Sequence, residues 1–253
     1  MADRCHRVEH VMGTVISVDV RDPNIVPSDL DDIYRWFRQV DDIFSTYKEN
    51  SQISRLDRGE LTIADCHPDV GWVLERCRQI GRSSGGYFDS RATGRLDPSG
   101  LVKGWSVEVA SEMLFERGSA NHCINAGGDV RIRGEPHPGR AWNVGIVHPL
   151  VPSALTVVVA GRDLAVATSG VAERGQHVID PLTGRGADSL ASVTLVGPEL
   201  TLTDAYATAA LAMGLDAPSW LNGLSEHEAY VIDAGGHVWW TEGFPGYAPA
   251  LVS

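Results

Sequence analysis

"TLTDAYATAALAMG", residues 201–214, begins polar and runs into small apolar residues, and its place in the chain decides the fold class. Asp204 and Thr208 lie four apart, so a helix carries them on one face. An acid near a helix start suits the dipole, and Thr203 or Asp204 can serve as its cap. On both sides of this helix the chain reads as strands. Upstream, "HCINAGGDVRIRG" (122–134), "AWNVGIVHP" (141–149), "ALTVVVAGRDLAVATSG" (154–170) and "LASVTLVGP" (190–198) are short β-rich runs broken by Gly, Pro and Asp. Downstream, "EAYVIDAGGHVWWTEG" (228–243) has the form of a hairpin pair.

The first half is different. "VMGTVISVDV" (11–20) alternates and is β-branched, which predicts one strand. From Ser28, a cap candidate, Leu30, Ile33, Phe37, Val40 and Phe44 recur at helical spacing. A second helix is predicted through Val70, Val73, Leu74, Cys77 and Ile80, and a third following "GLVKG" through Val107, Ala110, Met113 and Leu114. Helices gather early and strands late, with one helix returning among them. That order predicts an α+β fold, a single compact two-lobed domain over 1–253 with mixed β-sheets and flanking helices, rather than regular βα alternation.

Composition narrows the partners. The 253 residues are 43% hydrophobic, enough for a sizeable core, and 21 basic against 33 acidic residues give a formal charge of −12. Nucleic acid and anionic membranes reward basic patches, so neither is expected as a partner. An anionic substrate needs local help instead, from a metal ion, a helix N-terminus or a few placed cations. Cys5, Cys66, Cys77 and Cys123 form no C-x-x-C pair and fit a reducing compartment. The opening residues contain no apolar run that reads as a signal peptide or membrane anchor, so the expected location is cytoplasmic.

Several stretches can carry chemistry, and each has a plainer structural reading beside it. In "INAGGDV" (124–130) paired glycines let backbone approach a ligand, or simply make a β-turn before an acid. "DPSGLVKGW" (97–105) sets Asp97 and Lys103 around a helix start, where the lysine meets a phosphate or only solvent. In "HVIDPLTGRG" (177–186) His177 is an acid–base candidate, or a satisfied edge histidine with Asp180 capping the turn. "LAVATSG" (164–170) ends on hydroxyls that line a cleft or form a turn, and Tyr47 past a helix end stacks on a planar ligand or packs.

Taken in order, "MGT", "STYKENSQISRL", "GYFD", "DPSGLVKG", "NAGGDV", "WNVGIVHP", "AVATSG", "HVIDPLTG" and "TDAYATAALAMG" resemble the FAD:protein FMN transferase family, the ApbE-type flavin transferases. The resemblance runs from Met12 to Gly214. It implies an ApbE-like (T-fold-like) architecture and an enzyme that binds FAD and, with Mg2+, moves its FMN part to a Thr or Ser hydroxyl of a target protein, releasing AMP. Carried over by matching segments, it implies metal ligation by Asp204 and Thr208, assisted by backbone oxygens of Ala207 and Gly100. FAD contacts are implied for Met12, Tyr47, Tyr87, Phe88, Asp89, Asp97, Lys103 and Val178. His177 or Asp180 is expected to help the acceptor hydroxyl lose its proton. This chain departs from the family's usual D-x-G-G-I-A-K-G, with Pro98 after Asp97 and one glycine of the pair. Two alternatives share the site: an FAD pyrophosphatase yielding FMN and AMP, and a non-catalytic FAD-binding protein.

Overall fold

A computed structural model describes residues 5–170 and 178–248. The chain opens with a hairpin, β1 (Cys5–Val11) and β2 (Thr14–Val20), followed by helices α1 (Pro27–Phe44), α2 (Gln52–Asp57), α3 (Pro68–Ser83) and α4 (Ser99–Glu116). Strands β3 (His122–Ala126), β4 (Asp129–Arg133), β5 (Trp142–Val147), β6 (Leu155–Gly161), β7 (Leu164–Gly170), β8 (Ile179–Asp180), β9 (Arg185–Gly186) and β10 (Leu190–Gly197) follow. Helix α5 (Leu200–Met213) then returns, before α6 (Ala217–Leu221), β11 (Glu228–Asp233) and β12 (Val238–Trp240). The α+β order read from the sequence is the order of the fold.

Eight strands form one sheet in the order β1-β2-β3-β4-β7-β10-β11-β12, and every neighbouring pair is antiparallel. Strand β10 is buried along its whole length because both faces of the sheet are covered. Val193 and Leu195 face a core shared with α1, α3, α4 and α5, while Ala191 and Val196 face a second core under the β5–β6 ribbon. The two lobes are therefore the two sides of one sheet.

Four local expectations change. Residues 11–20 are not one strand: Met12 and Gly13 turn the chain with φ of 55° and 69°, the paired positive values of a two-residue hairpin turn. Ser28 is not the cap of α1; the helix starts after Val26, whose N–H donates to Asp29 Oδ2 at 2.8 Å, with Pro27 in the first turn. Helix α4 starts before "GLVKG" rather than after it, with Asp97 Oδ1 accepting from Ser99 N at 3.0 Å. Helix α5 starts at Leu200, and its first N–H groups are taken by the Glu199 carboxylate, which accepts from Thr201 N and Leu202 N at 2.7 and 2.8 Å. Glutamate is an uncommon cap, so Thr203 and Asp204 drew the boundary too late.

That last shift matters. Asp204 lies more than a turn inside α5, and the helix N-terminus facing the cleft is that of α4.

Candidate active site

Two close-packed helices create the heart of the site. Gly100 and Gly104 of α4, four apart, face Thr208, Asp204 and Leu200 of α5, also spaced by four. A Cβ at Gly104 would stand 2.5 Å from the Leu200 carbonyl oxygen and 2.8 Å from Asp204 Cβ. A Cβ at Gly100 would stand 3.3 Å from Thr208 Cγ2 and 3.2 Å from Phe88 Cε2. At Gly104 only glycine lets the helices meet, and their meeting brings Gly100, Asp204 and Thr208 onto one wall.

The Gly104 N–H, whose partner along an α-helix is the carbonyl of Gly100, also donates to Asp204 Oδ2 at 2.9 Å. Opposite, β4 supplies Asp129, 1% exposed, whose Oδ1 accepts from Thr168 N at 3.0 Å. Its Oδ2 forms an ion pair with Lys103 Nζ, and the same ammonium lies 3.8 Å from Asp204 Oδ1. Thr208 Oγ1 shares a 3.3 Å hydrogen bond with Ser169 Oγ. The floor thus gathers two buried carboxylates, one ammonium and two hydroxyls.

Above the floor opens a cleft of about 530 Å³, within the roughly 300–1,000 Å³ of small-molecule sites. The two tight turns form part of its wall. Register sets Ile16 beside Ala126, so Met12–Gly13 and Gly127–Gly128 lie together, and a Cβ at Gly127 would strike Thr14 Oγ1 at 2.4 Å. Gly127 and Gly128 also have positive φ, so this pair is both the plain turn and part of the cleft wall. Met12 holds positive φ without being glycine, and its sulfur accepts from Ser106 Oγ at 3.6 Å. Backbone in that region concentrates at functional sites.

Most residues expected at the site line this cleft: Met12, Tyr47, Tyr87, Phe88, Asp89, Asp97, Gly100, Lys103, Val178, Asp204 and Thr208. Phe88 is buried, its N–H donating to Ser84 Oγ at 3.1 Å, whereas Tyr47 projects freely at the mouth. Two further candidates are placed differently. Ala207 is fully buried, lies outside the cleft wall, and sits mid-helix where its carbonyl belongs to the α5 ladder. Asp180 accepts from Leu182 N at 2.9 Å and Thr183 Oγ1 at 2.6 Å, and the Thr183 hydroxyl holds its pKa below the ordinary carboxylate range. It anchors the turn. His177 lies outside the described residues.

Asp129, behind the cleft wall, was not among the sequence candidates. Its signal was present, an acid directly after the glycine pair, but nothing local says that Lys103, 26 positions earlier, meets it. The wall from Gly145 to Pro149 was equally silent in chemical terms.

Among the described residues no group of three or more His, Cys, Asp or Glu is placed to hold a metal. The oxygens of Asp204 and Thr208 are hard donors of the kind Mg2+ takes when substrate phosphates and water complete its shell, so the residues fit such an ion. No described helix is long and apolar enough to cross a membrane.

Comparison with known proteins agrees with the segment order. The ApbE family profile matches residues 12–94 and 90–232. An FAD:protein FMN transferase of Vibrio cholerae is 31% identical over 163 residues, 60% of this chain and 47% of that protein. One of Haemophilus influenzae is 29% identical over 132 residues, 48% of this chain and 38% of its own length. The matched region thus spans half or less of these relatives. Among solved structures, the ApbE protein of Thermotoga maritima superposes with a TM-score of 0.88 at 19% identity, covering 97% of this chain and 99% of that one. The flavin transferase ApbE of Vibrio cholerae gives 0.84 at 20% identity, covering 98% and 100%. Since the family profile covers most of the sequence and the fold agrees, the chain belongs to the ApbE family.

Proposed function

We propose that this chain is an FAD:protein FMN transferase, a single ApbE-like catalytic unit that moves FMN from FAD to a Thr or Ser hydroxyl of an acceptor protein and releases AMP. The observation that carries the reading is the α4–α5 joint, where Gly100, Asp204 and Thr208 open onto one cleft beside Lys103. Two relatives bearing this activity in their names support it.

The acceptor oxygen attacks the phosphorus of the FMN half, the bridging P–O bond breaks, and AMP leaves with the bonding electrons. The hydroxyl proton passes to a base, a role the sequence offers to His177. The developing charge on the pyrophosphate calls for preorganised positive groups. Lys103 supplies one, and the first turn of α4 presents the positive end of a helix dipole to the cleft. An acidic protein thereby receives an anionic substrate through local charge. Asp204, Thr208 and the Gly100 carbonyl would hold Mg2+, which when bound neutralises phosphate charge. The competing claim of Asp204 on the Gly104 N–H suits Gly100 as a source of backbone oxygen. Met12, Tyr87, Phe88 and Val178 offer apolar surface to the flavin, Tyr47 a ring at the mouth, and Asp89 and Asp97 polar contacts. The proposed location is cytoplasmic.

The test is incubation with FAD, Mg2+ and a co-expressed acceptor, with nucleotides separated by chromatography and protein mass measured. Transfer predicts AMP and an acceptor heavier by FMN less water. FMN and AMP with no adduct would mean a pyrophosphatase, and intact FAD a binding protein.

A further inference from the structure

Lys103 is bracketed by two carboxylates that reach it from different elements. Asp129, on β4, makes the close ion pair; Asp204, on α5, lies 3.8 Å from the same nitrogen. Both carboxylates are almost wholly buried, while the lysine is a quarter exposed toward the cleft. Asp129 is itself fixed, since its other oxygen accepts from Thr168 N on the neighbouring strand. A flexible four-carbon stem lets the ammonium follow the charges around it, so these carboxylates bear on where it rests.

We propose that Asp129 is a positioning residue: it shares the Lys103 ammonium with Asp204, keeping that charge over the cleft floor instead of letting it close wholly onto Asp204. Remove the Asp129 charge, and among the described residues Asp204 is the buried carboxylate left beside the ammonium. Lysine then settles there, competing with a cation for Asp204 and withdrawing from the substrate's phosphates. This rests on the reading of Asp204 and Lys103 given above, but part of it is independent of the reaction. Among the described residues these three charges sum to −1, so losing lysine removes a counter-charge that two buried carboxylates share. That is far worse than losing one carboxylate.

The experiment uses Asp129→Asn, Lys103→Met and the double variant. Asparagine keeps an oxygen for Thr168 N and nearly the same shape. Thermal unfolding without metal or FAD comes first: Lys103→Met melts several degrees below the parent, and adding Asp129→Asn to it raises the melting temperature. A double variant less stable than Lys103→Met overturns the pairing. Next, AMP release from FAD with Mg2+ is measured across FAD concentrations, and Mn2+ affinity by water-proton relaxation. Asp129→Asn lowers kcat about 10²-fold, the scale of losing one preorganised charge, and weakens Mn2+ binding. In the Lys103→Met background the same change costs less than about threefold and no longer weakens Mn2+, because the residue it acts through is gone. Independent, multiplying losses would assign Asp129 a merely structural role and sink the proposal. If the parent releases no AMP, the transferase reading fails, while melting and Mn2+ binding still decide the role of Asp129.

Discussion

Asp204 and Tyr47 line the same cleft, yet the first is 2% exposed and the second 94%. The floor is built where two helices and the central sheet meet, and each of its polar groups is held by another. Gly104 N–H holds Asp204, Thr168 N–H holds Asp129, and Ser169 holds Thr208. The mouth is built from loops after α1 and around Asp180, where side chains project or tie down their own turn. The difference teaches where chemistry and recognition divide: charge is stored where protein has replaced water, since there it acts at full strength, and binding surface is left where a large ligand must enter.

The largest expected effect breaks the floor directly. Asp204→Asn keeps an acceptor for Gly104 N–H but loses the charge, and AMP release from FAD should fall by about 10²–10³-fold, with the melting temperature little changed. An undiminished rate would move the chemistry elsewhere in the cleft.

Next comes the framework behind the floor. His122 is buried between Ser111 Oγ, 2.8 Å from Nε2, and Ser119 Oγ, 3.0 Å from Nδ1, and burial beside Arg133 and Arg131 lowers its pKa to about 4. The unfolded chain takes up this proton near pH 6.5 and the folded one only near pH 4. Stability is therefore intact above about pH 6.5 and falls as pH drops through that window, by about 3 kcal/mol in all from this group. Urea unfolding at pH 7.5 and 5.0 measures it, and His122→Gln should flatten the difference. Loss of activity below pH 6 would then be traced to the fold and not to the mouth.

Gly104→Ala tests the helix joint. The new methyl meets backbone at 2.5 Å, which no rotamer relieves. Overpacking of this kind costs about 2 kcal/mol, or a melting temperature lower by ~5 °C. Because Asp204 must shift with the joint, AMP release should fall alongside. A variant stable but inactive would show that spacing matters more for chemistry than for folding.

At the mouth, effects should be small and of another kind. Tyr47→Ala should leave the melting temperature within about 1 °C and raise the KM for FAD roughly fivefold, the value of one stacking contact, with kcat preserved. Asp180→Asn should change kcat less than about threefold, since its carboxylate serves Thr183 and Leu182. A drop beyond tenfold would return Asp180 to proton transfer and blur the division between floor and mouth.

How much of this was legible in the sequence follows the same division. The helical spacing from Leu30 to Phe44 and the burial of those positions agree, because periodicity is a local property. The boundary of α5 was misplaced because its cap, Glu199, is a rare one, and the turn at Met12 was missed because methionine seldom adopts positive φ. Asp204 and Thr208 were legible as a pair from their spacing, and most of the cleft-lining candidates from ordered segments. The burial of Ala207 follows from no local rule; it depends on what packs against α5.

By itself, then, the sequence determined the α+β order, the returning helix, the family resemblance and the acid–hydroxyl face of α5. These depend on residues near one another in the chain, where spacing alone sets which side chains share a face. Only the tertiary structure decided that Gly104 brings Asp204 against α4, that Asp129 meets Lys103, and that α4 rather than α5 turns its N-terminus to the cleft. Those are contacts across 26 to 100 residues, and their energy comes from close approach and shared burial, which no stretch of sequence carries alone.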